Sequence, residues 1–173
     1  VSQYKDLSTI KNLLDVGCGV GNTFSMINKM GFYPNCHAIE EGENYSSHLN
    51  ELNVNVIAPN DEKLGIDPKY ENYFDVILLS HSLEHFSAEY INEIINNIYN
   101  YLKSDGILLI EVPNEDCRNN LDERKSSYPY FIAPHVSFFS KKSIEKLLIE
   151  SGLVIEYINL VGSRENFHYK YEN

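Results

Sequence analysis

Few residues in this chain have the types and spacing to do chemistry together, and the sharpest set is a glycine-rich turn. Asp15-Val16-Gly17-Cys18-Gly19-Val20-Gly21-Asn22 follows directly on the apolar run 11–16. Glycines at such a place let the chain turn tightly from strand to helix, and let a ligand approach backbone N–H groups. A dinucleotide-binding turn would read G-x-G-x-x-G/A. Its last position falls on Asn22 counted from Gly17 and on Phe24 counted from Gly19, so both registers fail. The glycines stand instead at 17, 19 and 21, with Asp15 two residues ahead of the first. Glu40 closes the next strand-like run. An acid there can accept hydrogen bonds from both ribose hydroxyls of an adenosine-containing cofactor. The plain alternative is an ordinary glycine turn and an unrelated surface glutamate; the joint placement favours a cofactor site.

A second constellation is His81-Ser82-Leu83-Glu84-His85, which matches H-x-x-E-H, the zinc motif of inverted metallopeptidases. On a helix, His81 and His85 would share one face and hold zinc, with Glu84 as general base. That reading needs the motif inside a helix and a third ligand downstream. The run before it, 74–80 (FDVILLS), is the clearest buried strand in the chain, and the best helix cap, Ser87, follows the motif. A zinc hydrolase is therefore the remote alternative. No metal ligand is assigned; the acids Glu115, Asp116 and Asp122 have no spacing that compels one. His81, at a strand tip, is a candidate catalytic base, while Glu84 and His85 are expected to be structural.

A third group lies between the strand ending near 112 and a helix beginning at 141. Loops of this length in compact domains are usually lids or binding segments. This one carries Tyr128, Pro129, Tyr130, Phe131, His135, Phe138 and Phe139. Aromatics with a histidine can enclose a small substrate and exclude water. Tyr128, Tyr130, His135 and Phe138 are the expected substrate-side residues, with His135 the second candidate base. One of Phe138 and Phe139 is expected to pack under the last helix.

The elements that position these residues alternate throughout. Strands are expected at 11–16, 35–40, 53–58, 74–80, 107–112, 153–161 and 165–171. Helical stripes fall at Phe24, Ile27 and Met30; at Tyr45, His48, Leu49 and Leu52; at Ile91, Ile94, Ile95, Ile98 and Leu102; and at Ile144, Leu147 and Leu148. Ser87 and Ser140 are expected helix caps, Gly152 a helix stop, and Asp105-Gly106 a turn. The pattern predicts an α/β, Rossmann-like, doubly wound and mostly parallel seven-stranded sheet. Helices would cover both faces, and the C-terminal strand would be antiparallel. Ligands in such sheets bind outside the carboxyl ends of the strands.

With 173 residues, one domain over 1–173 is expected. Lys and Arg number 14 against 25 Asp and Glu, a net charge of −11. Such a chain repels phosphate backbones and anionic membranes, so neither nucleic acid nor membrane is an expected partner. Three widely spaced cysteines, Cys18, Cys36 and Cys117, suit a reducing cytoplasm better than a disulfide scaffold. No apolar run approaches the ~18 residues of a membrane span. The chain opens on Val1, not Met, so a processed or missing upstream segment is expected.

LLDVGCGVGN resembles the first motif of class I S-adenosylmethionine (SAM)-dependent methyltransferases. The similarity continues through Glu40, FDVILLSHSLEHF and LKSDGILLIEVPN. PHVSFFSKKSIEKLLIESGL is similar to the tail of the ubiquinone-biosynthesis and sugar-modifying branches. The resemblance implies SAM as cofactor and S-adenosylhomocysteine as product. It implies that Asp15, Gly17, Cys18 and Gly19 line the methionine side, Gly21 leaves room at the turn, and Glu40 holds the ribose. Asn60 and Asp61 would edge the adenine; Ser80 and His81 would lie beside the transferred methyl. It implies methyl transfer to a small molecule, with an oxygen of a sugar or other polar metabolite the expected acceptor, and leaves a homodimer open. The first alternative is a SAM-binding module without transferase activity; a nicotinamide dehydrogenase comes third. Members of that family usually carry more chain before the first strand, often a lid; here only Val1–Ile10 precede it.

Overall fold

The computed structural model describes residues 5–115 and 135–160. Five strands form one parallel sheet: β1 (Asn12–Val16), β2 (Asn35–Ile39), β3 (Asn55–Val56), β4 (Phe74–Ser80) and β5 (Leu102–Glu111), in the order β3-β2-β1-β4-β5. The chain steps outward from β1 to β3, then returns to β4 on the other side of β1. That reversal opens a crevice at the carboxyl ends of β1 and β4.

Helices α1 (Asn22–Lys29), α2 (Ser46–Glu51), α3 (Ile91–Tyr101) and α4 (Lys141–Glu150) complete the layers. Alternation along the strands assigns them to two faces. Leu13 and Val76 pack with Phe24 and Ile27 of α1 and Leu49 of α2. Leu14, Val16, Ile77 and Leu79 pack with Ile94, Ile95 and Ile98 of α3 and with Ile144 and Leu147 of α4. Most of the stripe residues expected from the sequence lie on the faces buried here, but Met30 (67% exposed) and His48 face outward and Leu102 belongs to β5.

Local chemistry sets the ends. Ser140 caps α4 as expected: its Oγ accepts from the Ser143 N–H, and the Ser143 hydroxyl accepts from the Ser140 N–H. Gly152, at φ 84°, ends α4, with the Leu153 N–H returning to the Leu148 carbonyl at 3.0 Å. Ser87 is a correction. It closes a turn by accepting from the Tyr90 N–H at 2.9 Å, and α3 begins only at Ile91, with Tyr90 at the cap and no side-chain cap bond.

One strand boundary also changes. β5 begins at Leu102, earlier than the expected 107. Leu102 pairs with Phe74 and Ile107 with Val76, so extra residues including Asp105-Gly106 bulge out between them. A Cβ on Gly106 would lie 2.7 Å from Leu102 Cγ, which explains a glycine at that fold-back. Residues 153–160 pair with no strand among the described residues. A strand needs a partner, and the one expected, 165–171, lies outside the described residues. The sheet is thus five-stranded and parallel among the described residues.

Candidate cofactor and active site

The glycine turn caps the carboxyl end of β1. The Gly17 N–H donates to the Ile39 carbonyl at 2.8 Å, then the chain crosses Gly17, Gly19 and Gly21 at φ 72°, 53° and 75°. Residues with a Cβ take this left-handed conformation only at a cost. At Gly17 there is also no space: a Cβ would lie 2.7 Å from the Ser82 Cβ, so the glycine lets the turn pack on the exit of β4. At Gly19 a Cβ would meet nothing within 4 Å, leaving the crest of the loop open above its backbone. Gly17→Ala is expected to cost about 2 kcal/mol from backbone strain and the close contact, lowering the thermal midpoint by roughly 4–8 °C. An unchanged midpoint in a melting experiment would refute this.

Glu40 stands just past β2 and is fastened by backbone. Its Oε2 accepts from the Gly19 N–H at 2.7 Å and its Oε1 from the Gly42 N–H at 2.8 Å. The carboxylate is therefore pre-positioned between the glycine turn and the segment leading to α2. Beside it lies a hollow of about 460 Å³ whose lining includes Glu40, Glu41, Glu43, Ser46, Leu49 and Val56. Asn60 and Asp61 do not line that hollow. Both are exposed, and Asp61 Oδ1 is engaged by the N–H groups of Lys63 and Gly65, each at 3.0 Å.

Asp15 is 3% exposed near the end of β1. Burial raises its carboxyl to about 6; a hydrogen bond with Thr23 opposes the rise and the charge of Glu40 adds to it. Burial, with Asp15 and Glu40 behind it, pushes the neighbouring Cys18 thiol up to about 12. Cys18 is thus a neutral wall of the turn and not a thiolate nucleophile. No side chain caps α1, so its first N–H groups also face this end of the sheet.

At the exit of β4, Ser80 Oγ donates to Glu111 Oε2 at 2.9 Å. His81 follows at φ 53°, an uncommon conformation for a residue with a side chain, and its N–H donates to the Glu111 carbonyl at 2.9 Å. Its side chain is 60% exposed, with Nδ1 3.4 Å from Glu84 Oε1 and Nε2 3.6 Å from Glu111 Oε1. The residues after it form a 3-10 turn, Leu83–His85, not an α-helix. His81 and His85 therefore share no helix face, and the H-x-x-E-H peptidase geometry is absent. Glu111 went unmarked in the sequence; its signal was its place as the last residue of the strand beside β4.

The segment from His135 lies against this turn. The N–H groups of Val136 and Ser137 both donate to the Glu84 carbonyl, at 2.9 and 3.0 Å, and Ser137 Oγ donates to the Phe86 carbonyl at 2.6 Å. The His135 and His85 rings meet edge to face at 4.9 Å. Phe139 is the phenylalanine that packs under α4, while Phe138 is 44% exposed. Tyr128 and Tyr130, with Asp116, Cys117 and Asp122, lie outside the described residues.

A glycine turn, a fastened acid at the β2 tip and an exposed imidazole at the β4 tip are thus grouped on one end of a 3-2-1-4-5 sheet. The family model for the methyltransferase domain matches residues 3–158. The chain belongs to this family. The resemblance to class I SAM-dependent methyltransferases carried by its motifs is upheld at that level. No curated protein matches the chain. Among solved structures, the methyltransferase is similar to a SAM-dependent methyltransferase from Archaeoglobus fulgidus, at 20% identity and TM-score 0.64 over 87% of this chain and 63% of that one. It is similar to the 1,6-didemethyltoxoflavin N1-methyltransferase of Burkholderia thailandensis, solved with S-adenosylhomocysteine, at 17% identity and TM-score 0.64, over 94% and 69%. A mitomycin 7-O-methyltransferase matches at 20% identity and TM-score 0.63, over 90% of this chain and 47% of its own. The chain thus spans less than two thirds of two of these three relatives. Among the described residues no helix is long and apolar enough to cross a membrane.

Proposed function

We propose that this methyltransferase uses SAM to methylate a small molecule, at an oxygen of a sugar or other polar metabolite. The observation that carries the cofactor is Glu40: a carboxylate held by the Gly19 and Gly42 amides and lining a hollow. The donor set fits the group. Glu40 offers acceptors for the ribose hydroxyls, Asp15 a buried anion for the ammonium of the methionine part, and Gly17, Cys18, Gly19 and Gly21 a close-approach wall. Ser80 and His81 border the same end of β4, and Asn60 and Asp61 are proposed at the adenine edge.

When bound, the cofactor supplies an electrophilic methyl group on a sulfonium sulfur. The chain's own task is to orient the acceptor and exclude water. His81, exposed at the tip of β4, is the imidazole proposed to face the acceptor. His135, Phe138, Tyr128 and Tyr130 are proposed on the acceptor side. The N- and O-methyltransferases among the similar structures share this fold, so support for an oxygen acceptor comes from the histidines here, since a hydroxyl needs a proton acceptor more than an amine does.

The test is calorimetric titration of the folded chain with SAM and with S-adenosylhomocysteine. One equivalent of either binding at micromolar affinity is the expected result. Folded protein that binds neither would overturn the reading.

A further inference from the structure

Glu84 is the most unusual polar residue in the described fold. It is 1% exposed, and neither carboxylate oxygen has a hydrogen-bond partner among the described residues. His81 Nδ1 approaches to 3.4 Å from Oε1. Burying a carboxylate without compensation is costly, so such a group signals something that completes it. The surroundings supply two more donors. Glu84, His85 and His135 each offer one ligand atom, and these atoms all lie within 4.8 Å of one another. Ligands around a tetrahedral ion with bonds near 2.0–2.1 Å stand roughly 3.4 Å apart, so a modest closing of these side chains would complete a site.

The backbone builds the arrangement. Glu84 and His85 come from the 3-10 turn after β4, and His135 from a segment distant in sequence. The Val136 and Ser137 N–H groups on the Glu84 carbonyl, with Ser137 Oγ on the Phe86 carbonyl, tie the two together. We propose that Glu84, His85 and His135 bind a divalent first-row transition-metal ion of the zinc class. Two imidazoles with one carboxylate select such ions over the hard, all-oxygen ions magnesium and calcium. Three protein ligands would leave a coordination position free, and His81 stands 3.4 Å from the Glu84 carboxyl. In the methyltransferase reading, an ion there would hold the acceptor hydroxyl and ease its deprotonation. The proton would pass to the His81 imidazole, and the oxygen would take the methyl as the C–S bond of the sulfonium breaks, leaving S-adenosylhomocysteine. This extension rests on that reading; the ion site does not, and its test needs no SAM.

The experiment is calorimetric titration of the chelator-treated full chain with zinc chloride, and with cobalt(II) chloride followed by visible absorption. One equivalent of zinc is expected, with a rise in thermal midpoint and visible bands of low-coordinate cobalt. His85→Ala and His135→Ala, checked for folding by circular dichroism, should each weaken zinc binding roughly tenfold or more and lose the cobalt bands. Glu84→Gln should weaken binding as well, since a carboxamide is a poorer ligand for such an ion than a carboxylate. Failure of the folded wild type to bind zinc or cobalt saturably would overturn the proposal, as would equal binding by both histidine variants. Magnesium competing at the same concentration as zinc would overturn the assigned class of ion. Failure to bind SAM in a separate titration would sink the cofactor reading and leave the ion site standing.

Discussion

Glu40→Ala is expected to weaken SAM binding by about a hundredfold. Two hydrogen bonds from ribose hydroxyls to an ionised carboxylate contribute about 1.5 kcal/mol or more each, and 1.4 kcal/mol is a tenfold change in affinity. The structure adds a second reason for a large effect. Glu40 also accepts from the Gly19 and Gly42 N–H groups, so its removal leaves the crest of the glycine turn unfastened before any ligand arrives. Glu40→Gln keeps one acceptor oxygen and should fall between wild type and alanine. Calorimetry on all three proteins checks the series. Equal dissociation constants for wild type and Glu40→Ala would remove this residue from the cofactor site.

Asp15 carries the second large effect, a dependence on pH. Its carboxyl is raised from the ordinary 3.8 to about 6 in the folded chain, chiefly by burial. Between those values the folded state holds a proton that the unfolded chain has released. This contribution to stability is complete below about pH 4 and lost as pH rises through about 6. Its size is about 3 kcal/mol by order of magnitude. Asp15→Asn should abolish this component, so the wild-type and variant stability curves from urea unfolding should converge at low pH and separate by pH 7. Parallel curves would refute it. The same burial makes a prediction for binding. A ligand ammonium placed beside Asp15 favours the ionised form, so SAM affinity should rise with pH through about 6, with proton release. Titrations in buffers of different ionisation enthalpy measure that release, and Asp15→Asn should eliminate it.

These two residues show what local sequence carries. Asp15, the three glycines and Glu40 were legible because a strand, a turn and a helix are short-range events. An apolar run, φ-permissive glycines and a 3.6-residue stripe each announce themselves within a few residues. The capping box at Ser140 and the stop at Gly152 were legible for the same reason. Ser87 misled because a serine before a stripe can close a turn instead of capping a helix. β5 started early because its pairing with Phe74 is a sheet contact, which no local pattern encodes.

By itself, then, the sequence determined the alternating α/β order, the glycine turn with its acid at the second strand tip, and membership of the methyltransferase family. Tertiary structure alone decided which charged groups lost their water and which distant residues met. It buried Glu84 with no hydrogen-bond partner among the described residues, set Glu111 beside Ser80, and brought His135 onto His85 across a long stretch of chain. The physical reason is that periodicity reports which face of an element is apolar, while desolvation and side-chain encounter depend on every element packed against that face.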